Sequence, residues 1–82
     1  MTEKNEEKRL MYKTIENGVS CFNQGEEKSK SGDYQGAISD YSKVIDLDPE
    51  YAYAYLYRGE IKEKLGDKEG ADNDNKKGEQ FL

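Results

Sequence analysis

The sequence predicts an all-α chain: two stacked antiparallel helical hairpins behind an N-terminal extension that is itself expected to be helical. Three observations lead there. The segment Gly32 to Pro49 places Ala37, Ile38, Tyr41, Val44 and Ile45 at the i, i+3, i+4 spacing of one helix face, with Ser39, Asp40, Ser42, Lys43 and Asp46 opposite. Setting the chain against itself at a shift of 34 residues aligns ten identical pairs over 31 positions. Each aligned unit carries Gly-Asp, at Gly32-Asp33 and Gly66-Asp67, between two stretches of helix length.

Length and composition fit this reading. A chain of 82 residues is one domain at most. Hydrophobic residues make up 33% and charged residues 38%, which suits an elongated helical protein better than a sandwich with a large core. The net charge of −5 argues against nucleic acid or an anionic membrane as partner. Cys21, the one cysteine, has no disulfide partner within the chain. The acidic start M-T-E-K-N-E-E-K lacks an apolar h-region, and no run is long and apolar enough to span a bilayer, so a soluble cytoplasmic protein is expected.

In chain order, residues 1–17 lie outside the repeat. Glu6 to Glu16 is expected to be helical, with Leu10, Met11 and Ile15 as a short apolar edge. Asn17-Gly18 is either a helix stop or a tolerated interruption in one long helix. Residues 18–82 form the repeat domain, with repeat one at about 18–51 and repeat two at about 52–82. In repeat one a helix from about Gly18 to Ser31 ends at Gly32, a favourable residue just past a helix C-terminus. Asp33 then caps the second helix, and Pro49 closes it by biasing Asp48 away from helical dihedrals. In repeat two a helix from about Glu50 to Leu65 ends at Gly66, and Asp67 caps the last helix. Turns this short make the helices antiparallel neighbours.

One stretch pulls the other way. Tyr51-Ala-Tyr-Ala-Tyr-Leu-Tyr57 alternates with period two and is rich in aromatics, as a strand would be. The repeat register favours helix, because Gly59 then falls at the same place in its helix as Gly25 in repeat one. As a helix it puts Tyr51 and Tyr55 on one face and Tyr53 and Tyr57 on another.

With its period of 34, small residues at two fixed places and Pro near the end, the chain resembles the tetratricopeptide repeat family. That family's pattern is W-x2-L-G-x2-Y, A-x3-F, P. Repeat one offers Cys21, Gln24, Gly25, Lys28, Ala37, Tyr41 and Pro49 at those positions; repeat two offers Tyr55, Arg58, Gly59, Lys62, Ala71 and Asn75. The glycine and alanine positions match where helices cross closely, while the large-residue positions are loosely kept. The resemblance implies that some first-helix positions pack on a preceding repeat. These are polar in repeat one (Ser20, Glu27, Ser31) and apolar in repeat two (Ala54, Ile61, Leu65), as suits a stack that starts at repeat one. The last helix reads as a solvated end cap: Asn75 replaces a core aromatic, Gly78 costs about 1 kcal/mol relative to Ala, and the last turn is expected to fray.

Catalysis finds no support in the residues. The chain has no His, and Cys21, at a core position, reads as a packed thiol. Asp72 to Gly78 superficially resembles a calcium loop, but Lys76 and Lys77 stand where ligands and glycine belong, so it reads as a solvated helix face. No cofactor or metal is expected.

The resemblance implies instead a concave groove for a partner. Mapped by position, repeat one would contribute Val19, Phe22, Asn23, Glu26, Ser29 and Lys30, and repeat two Tyr53, Leu56, Tyr57, Glu60, Glu63 and Lys64. One end of this face is apolar and the middle is acidic, which suits a protein or peptide partner that is apolar with basic residues. Phe22 and Glu26 occupy the places where a well-known subset of the family has the Lys and Asn of a carboxylate clamp, so no such clamp is expected. The expected function is a non-enzymatic interaction module, a small adaptor. The alternative is a homo-oligomerising module whose apolar face is covered by a second copy, or by its own N-terminal helix through Met11 and Ile15.

Overall fold

A computed structural model describes residues 17–82. Among the described residues four helices follow one another: α1 (residues 17–30), α2 (Tyr34–Leu47), α3 (Ala52–Lys64) and α4 (Lys68–Gln80). No strand occurs among the described residues. The period-two tyrosine stretch is therefore helical from Ala52 onward. Asn17 and Gly18 both lie inside α1. Residues 1–16 of the extension expected at 1–17, with the cover offered by Met11 and Ile15, lie outside the described residues.

The two intra-hairpin turns are built alike. After α1, the Asp33 amide donates to Lys28 O (2.8 Å) and Gly32 N to Ser29 O (3.1 Å); after α3, Asp67 N donates to Lys62 O (2.8 Å) and Gly66 N to Glu63 O (3.0 Å). This paired pattern ends a helix through a left-handed residue, and both Gly32 and Gly66 have φ of 87°. Each aspartate then turns back on the next helix. Asp33 Oδ1 accepts from Gly36 N at 3.0 Å and Asp67 Oδ1 from Gly70 N at 2.9 Å. A side chain at Gly36 or Gly70 would collide with the capping carboxylate, which explains why both repeats keep glycine there.

Between the hairpins, Asp48 ends α2 and its Oδ1 accepts from Glu50 N at 3.1 Å. This Asx turn delays α3 to Ala52, two residues later than the sequence suggests. Tyr51 consequently precedes the helix and does not share a face with Tyr55: its ring lies 5.5 Å from Phe22, whereas Tyr55 donates from its hydroxyl to Pro49 O (2.7 Å) and packs 6.0 Å from Phe81.

Within each hairpin the two helices cross where side chains are small. A Cβ on Gly25 would sit 2.7 Å from the Tyr41 ring, and one on Gly59 would sit 2.8 Å from Asn75 and 3.1 Å from Ala71 O. Gly25–Tyr41 and Gly59–Asn75 are the same pair one repeat apart. Asn75 thus fills, with a polar side chain, the place that Tyr41 fills with a ring. Ala37, Tyr41 and Ile61 form a buried cluster that joins the two hairpins, and Phe22, Tyr34, Ile38 and Tyr57 pack around it.

Three expectations need correction. Ala54 and Ile61 are buried as expected, but Leu65 remains 45% exposed, because α3 ends at Lys64 and Leu65 belongs to the turn. The last helix runs to Gln80 and buries Gly78, where a Cβ would lie 2.5 Å from Leu56. Its glycine is therefore a contact with α3, not only a propensity cost. The Asp72–Gly78 stretch is helix, yet Asp74 is 4% exposed and so stands apart from a solvated face.

A repeated ion pair lies under that surface. Asp40 and Asp74, one repeat apart, both point from the second helix of their hairpin to a lysine on the first. Lys28 Nζ lies 2.9 Å from Asp40 Oδ2, and Lys62 Nζ 3.1 Å from Asp74 Oδ2. Repeat two adds Arg58, in the position where repeat one has Gln24. Without that arginine, Asp40 Oδ2 has the charge of Lys28 nearby but no well-directed hydrogen bond.

Candidate protein-binding groove

The first helices of the two hairpins, α1 and α3, bring together most of the face mapped from the sequence. Its apolar end is a chain of rings. Phe22 on α1 stacks on Tyr57 of α3 at 5.1 Å and 30°, with Tyr51 and Tyr41 each 5.5 Å away. Tyr41 meets Tyr57 edge-on at 6.0 Å, and Tyr53 continues the row 6.3 Å beyond Tyr57. Offset and tilted rings at these distances attract one another beyond the area they bury. The row ends at an open ring, Tyr53, which is 55% exposed; Val19, three residues before Phe22 on α1, is 43% exposed.

Beside the rings lies a cleft of about 220 Å³, lined by Glu26, Ser29 and Lys30 of α1, Tyr41 of α2, and Tyr57, Glu60 and Ile61 of α3. Glu26 and Glu60 are the same repeat position on adjacent helices. The repeat register alone therefore aims two carboxylates at one space. Their field shows at Tyr41, whose hydroxyl pKa is pushed from 10.0 up to about 12, by burial first and then by Glu26, Tyr57 and Glu60.

The mapped residues do not all meet there. Asn23 lines a separate hollow with Ser20, Gln24, Glu27 and Lys28. Tyr53 borders another hollow of about 370 Å³, shared with Asp48, Glu50, Tyr51 and the C-terminal Phe81 and Leu82. Leu56 is half-buried and turned toward Gly78 of α4, and Phe22 is half-buried among rings. Glu63 is exposed and does not line the cleft. Lys64 is held outside it, 5.7 Å over the Tyr34 ring and 3.8 Å from Glu60. Conversely, Tyr41, Tyr51 and Ile61 belong to the face although position mapping left them out. For Tyr41 the usable signal was its helix crossing at Gly25, which leaves a long ring only one way out, past Gly25 toward α1 and α3.

A family profile described as TPR repeat matches residues 25–66, just over half of the chain. The chain belongs to the tetratricopeptide repeat family. The match runs from Gly25, at the first helix crossing, to Gly66, and so covers α2, α3 and the latter part of α1. It stops before α4, the helix in which Asn75 departs most from the family's aromatic position. No curated protein matches the chain closely enough to be compared with it. Tetratricopeptide repeats are generally non-catalytic protein-interaction modules, and that is the function class the membership brings. Among the described residues of this tetratricopeptide protein, no three acidic or cysteine side chains cluster to hold a metal ion, and no helix is long and apolar enough to cross a membrane. Cys21 is half-buried and is a free thiol.

Proposed function

We propose that this chain is a small tetratricopeptide adaptor that binds a peptide or helix of a partner protein along α1 and α3, without catalysis. The carrying observation is the exposed Tyr53 ring, continuous with a packed aromatic row that borders an acidic cleft. Apolar anchors next to directional polar groups are what peptide recognition needs: the rings supply area at little entropic cost, and the charges set register. A partner that is apolar with basic residues fits both ends. The surface, rich in charge and acidic in balance, suits an aqueous compartment such as the cytoplasm.

Tyr53→Glu tests this reading, because Tyr53 carries little of the fold. Partners captured from native lysate by the parent chain, identified by mass spectrometry, should be lost with the variant while helical circular dichroism stays the same. Undiminished capture would remove the groove from the argument. Sedimentation equilibrium covers the competing reading. A mass that rises toward a dimer with concentration, and that Tyr53→Glu returns to monomer, would assign the same face to a second copy of the chain.

A further inference from the structure

We propose that the cleft between Glu26 and Glu60 receives the cationic side chain of one arginine or lysine in the bound segment, against the Tyr57 ring and above the Tyr41 hydroxyl. This rests on the groove reading above and names what the groove selects.

Four observations converge on that side chain. Neither carboxylate is consumed by the fold: among the described residues Glu26 makes no ion pair, and Glu60 has only the solvent-exposed Lys64 at 3.8 Å. Tyr41 is 2% exposed and lines the cleft, and no hydrogen bond joins its hydroxyl to any described residue. The hydroxyl oxygen of a tyrosine lining the cleft, engaged by no described residue, is free to accept from an N–H donor. Tyr57 offers an aromatic wall, and a cation over a tyrosine face is attracted by the ring quadrupole. The space, about 220 Å³, accommodates one long side chain and not a helix.

The cation must be organic. No cluster of three candidate metal ligands exists among the described residues, and two carboxylates on different helices with a phenol between them match the spread donors of a guanidinium or ammonium group. Lys30, exposed at the rim, partly offsets the negative field and should oppose binding.

The test uses the full chain and a phage-displayed library of random dodecapeptides. Selected peptides should share one fixed Arg or Lys next to an apolar residue. A synthetic copy of the leading peptide should bind about tenfold more weakly to the Glu26→Gln/Glu60→Gln variant in calorimetry. Replacing its basic residue by a neutral one of equal length, citrulline or acetyl-lysine, should cost a similar factor on the parent chain and little more on the variant. Lys30→Gln should tighten binding. Selected peptides without a fixed basic position, or equal affinity for the double variant, would overturn the inference; if Tyr53→Glu still blocked them, the groove reading would survive. Failure to select any peptide sensitive to Tyr53→Glu would take both down.

Discussion

Arg58 grips both oxygens of Asp74, with Nε 2.8 Å from Oδ2 and Nη2 2.8 Å from Oδ1. Its remaining nitrogen, Nη1, donates to Ser42 Oγ at 3.1 Å. One guanidinium therefore ties α3 to α4 inside its own hairpin and to α2 in the other. The planar fork of arginine matches a carboxylate in a way that a lysine does not. With the side chains only 18% and 6% exposed, solvent screens the pair weakly.

Arg58→Met should destabilise the chain by about 3 kcal/mol, at the low end for breaking a buried pair because Lys62 still faces Asp74. The cost comes from leaving a desolvated carboxylate poorly compensated. Arg58→Met combined with Asp74→Leu should accordingly recover much of the loss. Urea titrations of the three chains check this. If the double variant is as unstable as the single one plus a further full increment, the charge account is wrong and the arginine acts through packing.

The same carboxylate makes stability depend on acid. Burial pushes the Asp74 pKa upward, but hydrogen bonds from Arg58 and Lys62 outweigh it and hold the folded value below the ordinary 3.8. A pKa depressed in the fold contributes stability at pH values above 3.8, and that contribution is lost as pH falls through the lower folded value. Melting curves from neutral pH into strong acid should show a steeper acid limb for the parent than for Asp74→Asn, with the variant less stable at neutral pH. Parallel limbs would show that Asp74 is not the titrating group.

Asp33 and Asp67 cap equivalent helices with near-identical geometry. Each change to alanine should cost about 1 kcal/mol, and the two should be close to additive because the caps share no partner. Amide exchange at Gly36 and Gly70, each in its own variant, gives a local readout. Protection that is unchanged there would mean the carboxylates do not hold those amides in solution.

Phe22 and Tyr53 both line the groove but should separate in stability. Phe22→Ala removes three ring contacts, and as a half-buried group should cost about 2 kcal/mol, below the range for a fully buried ring. Tyr53→Ala, at a residue more than half exposed, should fall within about 0.5 kcal/mol of the parent. Chemical denaturation distinguishes them. Equal costs would mean that Tyr53 is also a packing residue and a poor probe of binding.

Much of the fold was legible in the order of residues because its determinants are local. The stripe from Ala37 to Ile45, the Gly-Asp turns and the recurrence at 34 positions depend on neighbours in sequence, and each reappears as a helix face, a capped turn or a hairpin. The tyrosine alternation misleads for the same reason: it is a local signal, overruled by Gly59 and Ile61, whose contacts lie on other helices. The acidic cleft was partly legible, since Glu26 and Glu60 repeat in register. Position mapping does not foresee that Leu56 turns to Gly78, or that Asn23 and Glu63 lie away from the cleft.

Asp74 and Arg58 mark the boundary between the two kinds of information. The sequence alone determined that the chain makes helices, where Gly32 and Gly66 end them, and that one hairpin repeats another, because helix propensity, capping and periodicity act over a few residues. Only the tertiary structure decided that Asp74, in the polar last helix, is buried, and that Tyr41 lines one cleft with two glutamates. Those outcomes depend on which groups other helices bring within a few ångströms, where loss of water makes a charge either costly or strongly held.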